Sequence, residues 1–122
     1  MAGLYVPLVM IPRFTSYVGA GTYTSVAMDV SEFAHFILTV WRGPLVSGTS
    51  PTFTMVFEES DDADVWSAFS GISTINTANA NSVVESDLTR RWMRVKVTLA
   101  QSTSTIAITC WAIGNLERRE RE

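Results

Sequence analysis

The chain has 122 residues, 47% of them hydrophobic and 17% charged, with a formal net charge of −3. This describes one domain long enough to bury a core without staples, and it excludes a disordered chain and the basic footprint of a general nucleic-acid binder. The single cysteine, Cys110, excludes an internal disulfide and a thiolate metal cluster, and no run of about 18 apolar residues offers a transmembrane helix.

Residues 1–13 read as an extended apolar arm. Pro7 and Pro12 forbid a helix interior and a central strand. Leu4, Tyr5, Val6, Leu8, Val9, Met10 and Ile11 leave two readings open: an edge strand or strap over the chain's own core, or an arm that lies on a neighbouring subunit. The apolar start lacks a basic n-region, so it does not read as a secretory signal. The chain is therefore expected to be made in a cytoplasm.

Gly19-Ala20-Gly21 is a loop signal. Residues 22–30 alternate as a strand, and Ser31-Glu32-Phe33-Ala34 is a turn or a single helical turn. Residues 35–41 are the most apolar strand, with Phe36, Leu38 and Val40 on one side and Ile37, Thr39 and Trp41 on the other. Residues 42–51 form a loop. Residues 52–59 form a strand with Phe53, Met55 and Phe57 inward. Ser60-Asp61-Asp62-Ala63-Asp64 is an acidic turn. A short strand within 65–72, an Asn/Ser/Thr/Ala-rich surface loop around 76–81 and a weak strand at 82–85 follow.

Residues 90–113 carry the strongest signal: two strand-like runs around Gln101-Ser102-Thr103-Ser104, which reads as a hairpin. In the first run Met93, Val95, Val97 and Leu99 share a face opposite Trp92, Arg94, Lys96 and Thr98. In the second, Ile106, Ile108, Cys110 and Ala112 oppose Ala107, Thr109, Trp111 and Ile113, as expected of a strand covered on both sides. Residues 115–122 read as a charged tail.

Seven or eight short strands with turn signals about every ten residues argue for an all-β fold, an antiparallel β-sandwich of jelly-roll type. The expected layout is an arm at 1–13, a sandwich at 14–114 and a tail at 115–122.

No motif carries catalytic chemistry. His35, the only histidine, reads as an ordinary strand-end residue. Glu58, Glu59, Asp61, Asp62 and Asp64 lack the Asp-x-Asp-x-Asp-Gly spacing of a calcium loop, so a solvated turn is expected. Cys110 reads as a small core hydrophobe. Trp41, Trp66, Trp92 and Trp111 are many for this length and suit core or interface packing; Trp92, beside Arg94 and Lys96, is the candidate for stacking on a glycan. The strip Arg90, Arg91, Arg94 and Lys96 is expected to contact an acidic protein surface. The tail, Arg118, Arg119 and Arg121 among Glu117, Glu120 and Glu122, could extend as a short helix on a partner.

The runs Met-Asp-Val-Ser-Glu-Phe, Phe-Ile-Leu-Thr-Val-Trp-Arg-Gly, Thr-Phe-Thr-Met-Val-Phe-Glu-Glu-Ser-Asp-Asp with Trp66 after it, and Arg-Arg-Trp-Met-Arg-Val-Lys-Val resemble small β-sandwich virion proteins of tailed bacteriophages, over residues 22–113. That family includes head decoration, or cement, proteins. The resemblance implies a non-enzymatic virion structural protein on the outer capsid surface, with the major capsid protein or another virion protein as partner. A homo-oligomer is expected, and no cofactor, metal, nucleic acid or membrane. The expected docking residues are Leu4, Tyr5, Val6, Pro7, Leu8, Val9, Met10, Ile11, Trp92 and Arg94. The alternative is a tail-associated or adhesion module that binds a host-surface glycan.

Overall fold

The computed structural model describes residues 5–44, 52–70, 72, 80–100 and 106–119. Nine strands make up the regular structure: β1 (Tyr5–Val18), β2 (Gly21–Thr24), β3 (Met28–Asp29), β4 (Phe33–Arg42), β5 (Thr52–Ser60), β6 (Ser67–Ala68), β7 (Ala80–Asp87), β8 (Trp92–Ala100) and β9 (Ala107–Arg118). No helix of the described residues is long and apolar enough to cross a membrane.

The strands form two antiparallel sheets. One runs β1-β9-β4-β7; the other runs β2-β8-β5-β6, with β3 also on β8. The chain crosses between sheets at every connection except β2 to β3 and β5 to β6, and the two strand orders are those of a jelly roll. The alternation read from the sequence sets the inner faces. Phe36, Leu38 and Val40 of β4 and Ile106, Ile108, Cys110 and Ala112 on and before β9 pack against Phe53, Met55 and Phe57 of β5 and Met93, Val95, Val97 and Leu99 of β8. Burial pushes the Cys110 thiol up to about 11.

Three expectations are corrected. The two runs in 90–113 are not a hairpin. β8 and β9 lie in different sheets, with their apolar rows facing across the core. Alternation reports which face of a strand is buried; it does not report the strand's hydrogen-bonding neighbour. The connection 101–105 lies outside the described residues.

The division at 13/14 also has no counterpart in the sheet. β1 runs through it and pairs with β9 from Tyr5↔Glu117 to Val18↔Ala107, with register shifts between Val9 and Ile11 and between Ile11 and Thr15. Leu8, Met10 and Ile11 belong to the chain's own core. The segment is thus an edge strand rather than a separable arm, because only in the sheet can it satisfy its backbone and bury these three side chains together.

The tail begins as strand, since Asn115, Leu116 and Glu117 pair with both β1 and β4. Past β9, the Arg119 amide donates to the Glu32 carbonyl at 3.0 Å and its guanidinium to the Leu88 carbonyl at 2.8 Å. Residues 120–122 lie outside the described residues. So do 76–79 of the loop read at 76–81, while Ala80 and Asn81 open β7.

Two local features let the sheet close. A Cβ at Gly114 would collide with the Ile37 carbonyl oxygen and lie 2.8 Å from Leu38 Cα, so glycine permits the close approach of β9 to β4. Gly19, at φ 99°, turns the chain from one sheet to the other. The Tyr23 hydroxyl donates to the Val18 and Gly19 carbonyls at 2.9 and 2.8 Å and ties that turn to β2.

Replacing buried Ile11 with alanine is expected to cost about 2–5 kcal/mol, and replacing exposed Val9 less than about 0.5 kcal/mol. Urea unfolding followed by tryptophan fluorescence compares the two.

Candidate functional site

The outer faces of the two sheets differ in kind. On the β2-β8-β5-β6 sheet every cation of the expected basic strip already has a carboxylate of the same chain. Arg94 Nε donates to Glu58 Oε1 at 2.8 Å, and Lys96 Nζ lies 3.4 Å from Glu58 Oε2. Arg90 lies 3.3 Å from Asp61, and Arg91 lies 3.1 Å from Asp29. Arg94 also covers Trp66 at 4.2 Å, and Arg91 covers Trp92 at 5.1 Å. This face is neutralised within the chain. It presents no uncompensated positive strip to an acidic partner.

The outer face of the β1-β9-β4-β7 sheet is apolar at its centre. The strand registers line up its outward residues in rows. Trp111 of β9 stands directly opposite Trp41 of β4. The next row reads Val9, Ile113, Thr39, Val83 from β1 to β7. The next reads Pro7, Asn115, Ile37, Glu85, and the last Tyr5, Glu117, His35, Asp87. Val9, Val18, Phe14, Ile37 and Val83 are all exposed large hydrophobics on this sheet.

The tryptophan pair is the centre of an aromatic ridge. Trp41 and Trp111 stack at 4.4 Å with an interplanar angle of 22°. Phe14 meets Trp111 edge-on at 5.2 Å, and the Arg13 guanidinium sits 5.5 Å from the Trp111 ring centroid. Phe14 is 73% exposed and has φ 62°. That left-handed conformation is rare for a bulky residue and costs about 1–3 kcal/mol. The bulge between Ile11 and Thr15 holds it there, and the result is a phenyl ring carried out over β9 instead of into the core. A groove of about 560 Å³ on one side of the ridge is lined by Pro7, Val9, Pro12, Arg13, Thr39 and Ile113, among others. A second, of about 390 Å³, lies on the other side along Ser16, Val18, Trp41 and Thr109.

No family model matches the chain, and no curated protein matches it. Among solved structures it is similar to the PBSX exported protein XepA, with a TM-score of 0.59 at 15% identity, over 96% of this chain and 39% of that one. At this identity the likeness is one of fold. The chain spans well under half the length of XepA.

The sequence-derived docking residues scatter over three environments. Leu4 lies outside the described residues. Leu8, Met10 and Ile11 are core and Val6 is half-buried, while Tyr5, Pro7 and Val9 are exposed on the outer face of the β1-β9-β4-β7 sheet. Trp92 and Arg94 lie on the opposite, neutralised face, and Trp92 has Arg91 over its ring. The sequence reading did not single out Phe14, Trp41, Trp111, Ile113 and Val83 for docking. The alternation put Trp41 and Trp111 on the faces opposite Phe36 and Cys110, but the expectation that the 106–113 strand is covered on both sides is corrected, since Trp111 and Ile113 are only partly buried on the outer face. That the two strands are neighbours, which makes a ridge of the tryptophans, depends on register.

His35 is held by two carboxylates: Nδ1 lies 2.9 Å from Asp87 Oδ1, and Nε2 lies 3.3 Å from Glu85 Oε1. The Asp87 bond, opposed by partial desolvation and assisted by Glu85, raises the His35 pKa above 6.5. In the acidic turn Asp62 Oδ1 accepts from the amides of Asp64 and Val65 at 2.9 and 3.0 Å, and buried Ser60 Oγ accepts from the amide of Ala63 at 2.9 Å. Those amides, Val65 first, hold the Asp62 carboxyl below the usual carboxylate range. Among the described residues no group of three His, Cys, Asp or Glu is placed to hold a metal ion.

Because the folded pKa of His35 is raised, its protonated form contributes stability that is complete below pH 6.5 and is lost as pH rises through the folded value. A proton NMR titration of this single histidine is expected to give a pKa above 6.5, and Asp87→Asn to lower it.

Proposed function

We propose that the chain is a non-enzymatic virion structural protein that decorates the phage head, docking on the major capsid protein lattice through the outer face of its β1-β9-β4-β7 sheet. The observation that carries this reading is the asymmetry of the two faces. One neutralises its charges internally and suits solvent. The other exposes Val9, Phe14, Ile37 and Val83 around a Trp41–Trp111 ridge, the kind of contiguous apolar surface that marks an interaction site. Aromatic residues are the anchors of such interfaces.

Three further observations support it. Jelly rolls are a fold of viral shells, an analogy of architecture rather than of function. XepA, part of which shares this fold, is a PBSX exported protein. A repeated lattice also needs no single strong contact, since many copies supply avidity. The hydrogen-bond partners of His35 are carboxylates rather than a nucleophile, which fits a role without catalysis.

The glycan-binding reading has less support. Sugars bind open aromatic faces, whereas Trp66 and Trp92 are covered by arginines and Trp111 lies between Trp41 and Arg13.

Electron microscopy of purified particles carrying a tagged copy of the chain is expected to show it on the outer head lattice. Labelling confined to the tail, or absent from particles, would overturn the proposal. In re-decoration of stripped heads, Val9→Asp should weaken binding at least about tenfold, equivalent to ~1.4 kcal/mol, while Thr22→Asp on the opposite sheet should leave it unchanged.

A further inference from the structure

The two edges of the β1-β9-β4-β7 sheet are built differently. β1 is protected as an edge in three ways: Pro7 and Pro12 offer no amide hydrogen, two register shifts break the ladder, and Phe14 bends the strand through a left-handed conformation. β7 carries none of these. It pairs with β4 over eight consecutive positions, from His35↔Asp87 to Arg42↔Ala80, without a shift. It contains no proline and no lysine, and among the described residues its only strand partner is β4. Such an edge is a template for one more strand.

We propose that the edge of β7 turned away from β4 pairs antiparallel with β7 of a second copy of this chain, about a two-fold axis at Val83, joining the two four-stranded sheets into one continuous sheet across a dimer. This reading takes the outer face described above as the docking surface and names the unit that presents it.

The charge order along β7 selects the occupant and the register. Its acids, Glu85 and Asp87, both lie on the C-terminal side of Val83. Antiparallel pairing centred on Val83 sets Val83 against its copy, Val84 against Ser82, Glu85 against Asn81 and Ser86 against Ala80. No carboxylate then faces another. Centring the pair on Glu85 would set that residue against itself, and like charges directly opposite are destabilising. Centring it on Val84 would set exposed Val83 against Glu85.

The side chain at the axis is suited to the contact. Val83 is 65% exposed, and a β-branched pair across two strands packs well. Pairing also has a consequence for docking. Val83 ends the apolar row that begins at Val9 and runs through Ile113 and Thr39. Joined at Val83, the rows of two copies become one apolar band across the whole dimer, with a Trp41–Trp111 ridge from each copy beside it. A closed two-fold contact of this kind stops at two copies and does not propagate into fibres.

Single-cysteine variants of the full chain under mild oxidation test the proposal. Directly opposite antiparallel residues have Cα atoms about 4.5–5.5 Å apart, within the span of a disulfide. Val83→Cys is therefore expected to give a disulfide-linked dimer at least tenfold faster than Val65→Cys, which is 68% exposed on a different part of the molecule. Glu85→Cys is expected to be slow as well, because its copy would sit four positions along the strand, roughly 13 Å away. Native Cys110 is buried and its thiol is pushed up to about 11, so the parent chain gives no background.

Sedimentation equilibrium of the untagged chain is expected to show a dimer, and Val83→Lys, with an unchanged circular dichroism spectrum, to weaken it at least tenfold. Val83→Cys cross-linking no faster than Val65→Cys, Glu85→Cys cross-linking faster than Val83→Cys, or a monomer up to high micromolar concentration would each overturn the proposal. These measurements need no virus particle, so failure here and failure of the head location are separate results.

Discussion

The apposition of the inner rows of β8 and β9 is the constraint on which the rest of the structure depends. Met93, Val95, Val97 and Leu99 come from one sheet, and Ile106, Ile108, Cys110 and Ala112 from the other, and all eight are almost wholly removed from water. Strand side chains alternate, so a slip of one residue in either strand would carry its entire row out of the core. With these two strands placed at the centre, β5 and β2 flank β8, and β4 and β1 flank β9. The apolar inner rows of β4 and β5 then complete the same core.

That constraint also decides what faces outward, and here the two sheets part. β8 turns Arg94 and Lys96 out beside Glu58 of β5, and both hold that nearly buried carboxylate. Charge that could have served a partner is used within the sheet. β9 turns out Trp111 and Ile113, and its neighbours β4 and β1 bring Trp41, Thr39 and Val9 alongside. Among the described residues the middle of this surface carries the Arg13 guanidinium over Trp111, while His35 with Glu85, Asp87 and Glu117 collect at one end of it. Contiguous exposed apolar surface of this kind is, in proteins generally, the composition of interaction sites.

The strained segment around Phe14 fits the same division of labour. β1 must place Leu8, Met10 and Ile11 in the core and still reach the turn at Gly19. The bulge from Ile11 to Thr15 absorbs the mismatch with β9, and Phe14 is carried outward onto Trp111 as a result. Backbone strain of this kind persists where the surroundings enforce it. Here the enforcement comes from core residues on one side and the aromatic ridge on the other.

By itself the sequence determined the all-β strand content, the two opposite faces of the longer strands and the absence of a disulfide. These follow from period-two alternation, turn residues and a single cysteine, all of which are local properties. It also marked residues 1–13 as apolar and extended, without deciding whose core they fill. Only the tertiary structure decided that Leu8, Met10 and Ile11 belong to the chain's own interior, that β8 and β9 face each other and do not pair, and that Arg94 is taken by Glu58 while Trp41 stands beside Trp111. Each of these is a statement about partners distant in the chain. Alternation gives a side chain its face, but register and strand order give it its neighbours, and both are set by the packing of the whole sandwich.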